Sequence, residues 1–262
     1  MRIILNLVFA ISALSALANN ENYNNMKVIA HRGGASLGPE NTITCIERGI
    51  NSGADAIEVD VHLSLDGFLV VCHDETINRT TNEKGKIEEL TLSQIRHAEI
   101  NYEGIKERIP TLKEVLLTVK DRCPLLLEVK KSRDSQYPLI EDKIVALVDS
   151  LGMREQIVLQ SFNDSVLNRF HIIAPDIPTE KLLVCRLPFG LAYDIKVHRF
   201  SVSDYPHVRS FNTYNGLTTQ RFIKEVHNQG KAVKVWTVDK PRKVKRNVDA
   251  VITNCPQDFV NY

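Results

Sequence analysis

Three features that often direct a first interpretation are missing from this sequence of 262 residues. After residue 18, no apolar run reaches the ~18 residues that a membrane-spanning helix needs. No CxxC pair is present, and an odd cysteine count leaves at least one thiol free unless it pairs between chains, so neither a zinc site nor a disulfide framework is indicated. The five cysteines are Cys45, Cys72, Cys123, Cys185 and Cys255. With 33 basic and 32 acidic residues, the net charge of +1 gives no case for nucleic acid or an anionic membrane as partner.

The first 18 residues have the pattern of an export signal. Arg2 precedes an apolar run over residues 3–18, which ends in Ala16-Leu17-Ala18, a cleavage pattern of small residues. The alternative is an uncleaved anchor helix, but the run is short for a full span. We therefore predict a signal peptide over 1–18, a polar lead over 19–26, one folded domain over 27–262, and a periplasmic or secreted protein.

From residue 27 onward, short apolar runs alternate with amphipathic stretches. Eight runs are predicted strands, at 26–30, 56–61, 125–130, 157–160, 181–186, 207–211, 232–238 and 249–252. Helical patterns lie between most of them, and a capping box at 111–114 begins one. This rhythm predicts the α/β class and a (β/α)8 TIM barrel. A doubly wound sheet is the alternative, disfavoured because no glycine-rich phosphate fingerprint opens a helix.

Residues 62–110 do not follow this alternation. A hairpin is predicted around Asp66-Gly67, with a short helix near 92–100, so we expect a small insertion after strand two. Segment 190–205 matches no regular element. The short basic stretch 240–247 shows no clear helix before the last strand.

Strand alternation places several charged residues inside the predicted barrel. Glu58 and Asp60 share one face of strand two, and Glu128 and Lys130 share one face of strand three. The opposite faces are apolar and must pack on the outer helices, so the charged side chains point inward, near the carboxyl ends where barrel enzymes keep their active sites. Three buried carboxylates favour a hard cation, Ca²⁺ or Mg²⁺, among them. The alternative is a structural ion-pair network in which Lys130 and Arg32 neutralise the acids.

Two histidines stand at similar strand ends and could transfer protons near neutral pH. His31 ends strand one and His73 ends the returning strand of the hairpin. His62 has the parity of Asp60 but is placed past the end of strand two. We expect structural roles for the other histidines, His62, His97, His171, His198, His207 and His227.

Strand seven carries two further inward residues. Trp236 forms either a wall for an apolar substrate edge or simple core filling, and Lys234 on the same face needs a buried partner that the sequence does not identify.

These residues belong to an ordered set of motifs that resembles the glycerophosphodiester phosphodiesterase family. The likeness covers roughly residues 27–258, and its motifs include VIAHRGG (28–34), PENT (39–42), GADAIEVDV (53–61), VVCHD (70–74), LEVK (127–130) and WTV (236–238). The resemblance implies a TIM barrel with a small insertion after strand two. It also implies metal-dependent cleavage of a glycerophosphodiester to glycerol-3-phosphate and an alcohol.

The resemblance also implies residue roles. It implies a divalent cation on Glu58, Asp60 and Glu128, general acid and base roles for His31 and His73, and phosphate contacts from Arg32 and Lys130. Glu40 and Asn41 would support these residues. One departure is Asn254, where the family usually has Asp. A lysophospholipase-D-like enzyme acting on lipids and a non-catalytic phosphodiester-binding barrel are the alternatives.

Overall fold

A computed structural model describes residues 26–130, 137 and 139–260 of the chain. The predicted signal peptide and all but the last residue of the polar lead lie outside the described residues. The strands are β1 (Lys27–Ala30), β2 (Ala56–Leu63), β3 (Leu69–Val71), β4 (Ile100–Tyr102), β5 (Ile105–Glu107), β6 (Leu125–Val129), β7 (Ile157–Ser161), β8 (Thr179–Leu183), β9 (Cys185–Leu187), β10 (Leu191–Tyr193), β11 (Val197–Arg199), β12 (Val208–Tyr214), β13 (Ala232–Trp236) and β14 (Ala250–Thr253).

Eight parallel strands close into a barrel in the order β1-β2-β6-β7-β8-β12-β13-β14, with β14 pairing back to β1. The predicted TIM barrel is confirmed, and the doubly wound alternative is wrong because its sheet would remain open. No helix in the described ranges is both long and apolar enough to cross a bilayer.

The helices are α1 (Ile43–Asn51), α2 (Leu92–His97), α3 (Leu112–Val119), α4 (Ile140–Leu151), α5 (Asp164–Ile173), α6 (Gln220–His227) and α7 (Gln257–Val260). They cover the outside of the barrel where the sequence predicted them, except that α2 belongs to the insertion and α7 was not predicted. The capping box of α3 forms as predicted, with Thr111 accepting from the Glu114 backbone. The apolar faces of β2 and β6 pack against α3 and α4, which turns their charged faces inward.

The insertion after strand two has its own small core. β3 pairs antiparallel with β2, which confirms the predicted hairpin, and β4 and β5 form a second hairpin. The strand prediction ended too early at Val61, because β2 continues to Leu63 to pair with β3. His62 therefore lies within the strand, not past its end.

Two outer helices of the barrel are absent from the described chain. The predicted strand over 181–186 is two strands, because the chain turns at Val184 and continues into a small antiparallel sheet of β9, β10 and β11. This sheet occupies the unassigned segment 190–205, and Phe200 after it packs on β12. Over 240–247 the chain forms only a short 3-10 turn at Pro241–Lys243. The cations of that segment repel one another at helical spacing, which disfavours a longer helix.

Candidate active site

Three buried carboxylates meet inside the barrel at the carboxyl ends of β2 and β6. Asp60 and Glu128 are direct neighbours in the ladder between these strands, and Glu58 lies two residues before Asp60. One oxygen from each carboxylate lies within 4.8 Å of the others. The donor set consists of oxygen alone, which suits a hard divalent cation.

Lys130 is the cation closest to these acids. Its Nζ lies 2.9 Å from Asp60 Oδ1 and 2.5 Å from Glu128 Oε1. Asp60 Oδ2 accepts a hydrogen bond from Asn41 Nδ2 at 2.9 Å. Asp60 Oδ1 is buried and, despite the nearby ammonium, accepts no hydrogen bond of good geometry within the described structure. That oxygen retains capacity for a ligand.

The pKa values show that one lysine does not satisfy three acids. Burial raises the pKa of Glu58 well above its usual value, and the charges of Asp60 and Glu128 raise it further. Burial also raises the pKa of Glu128 to about 7, against the charge of Lys130. Burial acts to raise the pKa of Asp60 too, but the charges of Lys130, His73, Arg32 and His31 together outweigh it and lower that pKa below its usual range. A divalent cation among these oxygens would favour ionisation of all three.

The Arg32 guanidinium forms no ion pair with the three acids in the described structure, although its charge helps to lower the pKa of Asp60. The Arg32 backbone N–H donates to Glu58 Oε2 at 2.9 Å, whereas its guanidinium binds Glu40 at 2.9 Å. Its Nε is buried and has no hydrogen-bond partner among the described residues. The turn carrying Arg32 packs tightly on α1, where a Cβ at Gly49 would lie 2.2 Å from the Gly33 oxygen. Glycine at 49 therefore allows the approach that positions Arg32.

His31 is held by a chain of two further side chains. Its Nδ1 lies 2.7 Å from Asn254 Oδ1, and Asn254 Nδ2 donates to Asp239 Oδ2 at 3.1 Å. Because Asp239 accepts from the amide nitrogen, the amide oxygen must face His31, which places the histidine proton on Nδ1 and leaves Nε2 free. Nε2 lies 4.0 Å from Glu58 Oε2. Burial, followed by the charge of Arg32, lowers the pKa of His31 to about 4.

His73 has an ionised partner instead. Its Nδ1 lies 2.7 Å from Asp74 Oδ1, which again leaves Nε2 free. Arg79 binds both Asp74 and Glu40, so it connects the support of His73 to the support of Arg32. The bond from Arg79 is the main cause that lowers the pKa of Asp74 to about 2. Burial lowers the pKa of His73.

His62 supports this arrangement from within β2. Its side chain is buried; Nδ1 lies 2.8 Å from the Tyr137 hydroxyl and Nε2 lies 3.3 Å from the His73 backbone oxygen. The sequence missed this contact because the strand was predicted to end one residue earlier.

A hydrogen-bonded polar belt crosses the barrel interior from β13 to β2, and the sequence analysis did not find it. Lys234 Nζ lies 2.6 Å from Glu180 Oε1, which identifies the missing partner of that lysine. Asn212 Nδ2 donates to both Glu180 and Gln160 at 2.8 Å. Gln160 Nε2 in turn donates to Glu58 Oε1 at 3.2 Å. Alternating strand parity could have shown these residues as inward, but not which ones meet.

Trp236 lies across the mouth from the acids. Its ring meets Phe162 edge-on at 5.9 Å and Tyr214 at 5.7 Å between centroids, and its Nε1 donates to the Asn212 oxygen. It is half-buried, so it packs on the inner apolar residues and still offers surface to the mouth.

The structure thus brings His31, His73 and the three acids to one mouth of the barrel. Arg32 and Lys130 lie beside them. The Asp60 charge acts on the pKa of both histidines, which indicates that they share one site. The residues that sequence reasoning missed are Asp239, Arg79 and the belt, which come from distant parts of the chain.

Comparisons with known proteins identify the family of the chain. The model of the glycerophosphoryl diester phosphodiesterase family matches residues 31–258. A glycerophosphodiester phosphodiesterase of Caldanaerobacter subterraneus subsp. tengcongensis is 35% identical over 247 residues, which cover 89% of this chain and 96% of that protein. One of Bacillus subtilis is 30% identical over 257 residues, covering 88% and 84%.

Solved structures show the same fold. The glycerophosphodiester phosphodiesterase of Agrobacterium tumefaciens has a TM-score of 0.70 at 25% identity, covering 89% of this chain and 99% of that one. A phosphodiesterase of Oleispira antarctica, in complex with the product sn-glycerol-3-phosphate, has a TM-score of 0.75 at 23% identity, covering 90% and 95%. The fold and the site define an enzyme of the phosphodiesterase class. The chain belongs to the glycerophosphoryl diester phosphodiesterase family.

Proposed function

We propose that the protein hydrolyses glycerophosphodiesters to glycerol-3-phosphate and an alcohol. The observation that carries this proposal is the meeting of three carboxylates, two histidines with free Nε2 atoms, and two cationic side chains at one barrel mouth. The relative from Oleispira antarctica, which binds sn-glycerol-3-phosphate, supports the same product class.

A single divalent cation, Ca²⁺ or Mg²⁺, fits the residues present. Glu58, Asp60 and Glu128 would hold it, because they are buried and supply only oxygen, and Asp60 Oδ1 has only the Lys130 ammonium as a partner among the described residues. When bound, such an ion neutralises charge on the phosphodiester and on the leaving oxygen.

Side chains of the protein bind the substrate and transfer the protons. Arg32 and Lys130 bind and orient the phosphate, and the face of Trp236 borders the apolar edge of the substrate. We assign the base to His31, whose neutral partner Asn254 gives its protonated form little stabilisation. We assign the acid to His73, because the hydrogen bond to ionised Asp74 offsets part of the burial that lowers the pKa of its imidazolium. The base takes the proton of the attacking oxygen, from water or from the glycerol 2-hydroxyl, as that oxygen bonds to phosphorus, and the acid protonates the leaving alkoxide as its P–O bond breaks. After attack by the 2-hydroxyl, water opens the cyclic phosphate to give glycerol-3-phosphate.

The decisive experiment incubates the full chain with glycerophosphocholine and Ca²⁺ or Mg²⁺ and measures sn-glycerol-3-phosphate. We expect its release together with choline. A lysophospholipase-D-like enzyme would instead turn over lysophosphatidylcholine in preference. Binding of either compound without any turnover would leave the non-catalytic barrel as the correct alternative.

We also propose that the protein is exported, with cleavage near Ala18. The apolar run over 3–18 and the small residues that end it support this. Expression of the full chain, cell fractionation and N-terminal sequencing test it. Recovery of the intact amino terminus in the cytoplasm would exclude export.

A further inference from the structure

An apolar surface lies on the side of the barrel opposite the acids. Six of the twelve exposed large apolar side chains in the described structure fall between residues 189 and 217: Phe189, Tyr193, Ile195, Val197, Tyr214 and Leu217. Clustered exposure of this kind marks a binding surface more often than isolated exposed residues do.

The register of the small sheet places much of this surface on one face. Leu191 pairs with Leu187, and Tyr193 pairs with Val197, so these four side chains share a face. The other face carries Ala192, which is fully buried against the barrel core. The apolar face is therefore the outward one.

Phe189 at the tip of the first turn is the most unusual residue of this surface. It is 98% exposed, and its φ is 57°. An aromatic residue rarely adopts positive φ, because its Cβ meets the backbone. The tight turn between β9 and β10, in which Gly190 also has positive φ, imposes this conformation and holds the Phe189 ring away from the protein.

Basic side chains accompany these apolar residues in the small sheet and in segment 240–247. Segment 240–247 carries Lys240, Arg242, Lys243, Lys245 and Arg246, and the sheet adds Lys196 and Arg199. None of these seven forms an ion pair with a described residue. The only acid within 185–199, 214–217 and 240–247 is Asp194, which is buried and bound to Lys181 and His198.

Hydrogen bonds link the small sheet to the loop after β12, and that loop to segment 240–247. The Tyr214 N–H donates to the Val184 oxygen at the base of the small sheet. Asn215 bonds to the Lys243 oxygen and to the Lys245 N–H, which joins the loop after β12 to the basic segment. We call the exposed side chains of 185–199, 214–217 and 240–247 the rim patch.

We propose that the rim patch docks on a lipid surface that carries anionic head groups. Exposed apolar side chains next to unpaired cations match the acyl boundary and the charged head groups of such a surface. A second copy of the chain fits less well, because a two-fold interface would place the same seven cations against each other. The net charge of +1 concealed this surface, since the balancing acids lie elsewhere on the chain.

Co-sedimentation with vesicles tests this surface without reference to turnover. The full chain is mixed with vesicles of phosphatidylcholine alone or of phosphatidylcholine with phosphatidylglycerol. We expect binding to the anionic vesicles that weakens as salt rises. The apolar run over 3–18 is present in every variant, so the differences between variants carry the result.

Two patch variants and one control sharpen the test. We expect binding to the anionic vesicles to fall by at least about tenfold in each patch variant. One variant is Phe189→Ser/Ile195→Ser, and the other is Lys240→Gln/Arg242→Gln/Lys243→Gln. Ile172→Ser is the matched control, because Ile172 is also exposed but lies on α5, outside the rim patch, and should not change binding.

Hydrolysis of soluble glycerophosphocholine should be unchanged in both patch variants, which separates this proposal from the proposed function. Equal binding to both vesicle types, or unchanged binding by the patch variants, would overturn the proposal. So would a concentration-dependent dimer of the wild-type chain that Phe189→Ser abolishes.

Discussion

Both sides of the barrel interior contain a lysine beside buried carboxylates, but only one side satisfies its buried polar groups within the protein. On the β1–β2–β6 side, Lys130 is shared between two carboxylates, and Arg32 Nε is buried without a hydrogen bond among the described residues. On the β7–β8–β12–β13 side, Glu180 binds Lys234 and Asn212, so its carboxylate is satisfied within the protein.

This difference distinguishes the residues that would bind a ligand from the polar belt that supports them. Buried polar groups that remain unsatisfied cost free energy, so their persistence indicates a ligand that completes them. The satisfied belt needs no ligand, but through Gln160 it orients Glu58. The predictions below test whether the two sides differ in this way.

Removing the cation should have the largest effect. We expect EDTA to abolish turnover and Ca²⁺ or Mg²⁺ to restore it. Without the divalent cation, nothing would neutralise the phosphodiester and the three acids of β2 and β6 together. Glu58→Gln should weaken the affinity for the restoring ion. Full activity in a chelator would remove the metal from the proposal.

The histidine variants come next. His31→Ala and His73→Ala should each lower kcat by at least ~10² with the fold intact, as measured by steady-state kinetics and circular dichroism. His97→Ala, at an exposed helical histidine, is the matched control and should leave kcat unchanged. Turnover near that of the wild type in either site variant would exclude that histidine from proton transfer.

Substitution of Asp239 or Asn254, which hold His31, should lower kcat less than substitution of His31 itself. Asp239→Asn should lower kcat about 10- to 100-fold with little change in KM, because the Asn254 amide loses its fixed orientation. Asn254→Asp alone places two carboxylates together and should also impair turnover.

The double variant Asp239→Asn/Asn254→Asp restores one acid and one amide in exchanged positions. It should recover most of the lost kcat. If it is as impaired as the single variants, Asp239 does not act through Asn254.

Substitutions on the β7–β8–β12–β13 side should change the free energy of unfolding more than they change kcat. Lys234→Met leaves Glu180 buried without its cation and should cost about 3–5 kcal/mol in the free energy of unfolding, measured with urea. Lys234→Met/Glu180→Gln should recover much of this. A large loss of kcat with unchanged stability would show that the belt belongs to the site.

The smallest effect concerns pH. Burial, followed by the charge of Lys130, lowers the pKa of His62 to about 4 in the folded state, whereas an unfolded imidazole titrates near 6.5. The unfolded chain therefore gains its proton first as pH falls, and up to about 3 kcal/mol of stability is lost between about pH 6.5 and 4. His62→Asn should show a shallower loss by thermal denaturation. The same slope in both proteins would contradict this.

The barrel was predictable from the sequence because its signals are local. Short apolar runs separated by amphipathic stretches predicted eight strands, and the structure has eight in the barrel. The small sheet of β9 to β11, which stands where a barrel helix would follow β8, was not predictable. It depends on burial of Ala192 and Phe200 against distant residues. Strand ends also failed where pairing with a later strand decided them, as for His62.

Alternation along single strands determined that Glu58, Asp60 and Glu128 point inward, since successive side chains in a strand take opposite faces whatever surrounds them. Only the closed barrel decided that Lys234 meets Glu180 and that Asp239 fixes Asn254 against His31. Those contacts join residues far apart in the chain, and no local pattern encodes a distance between them.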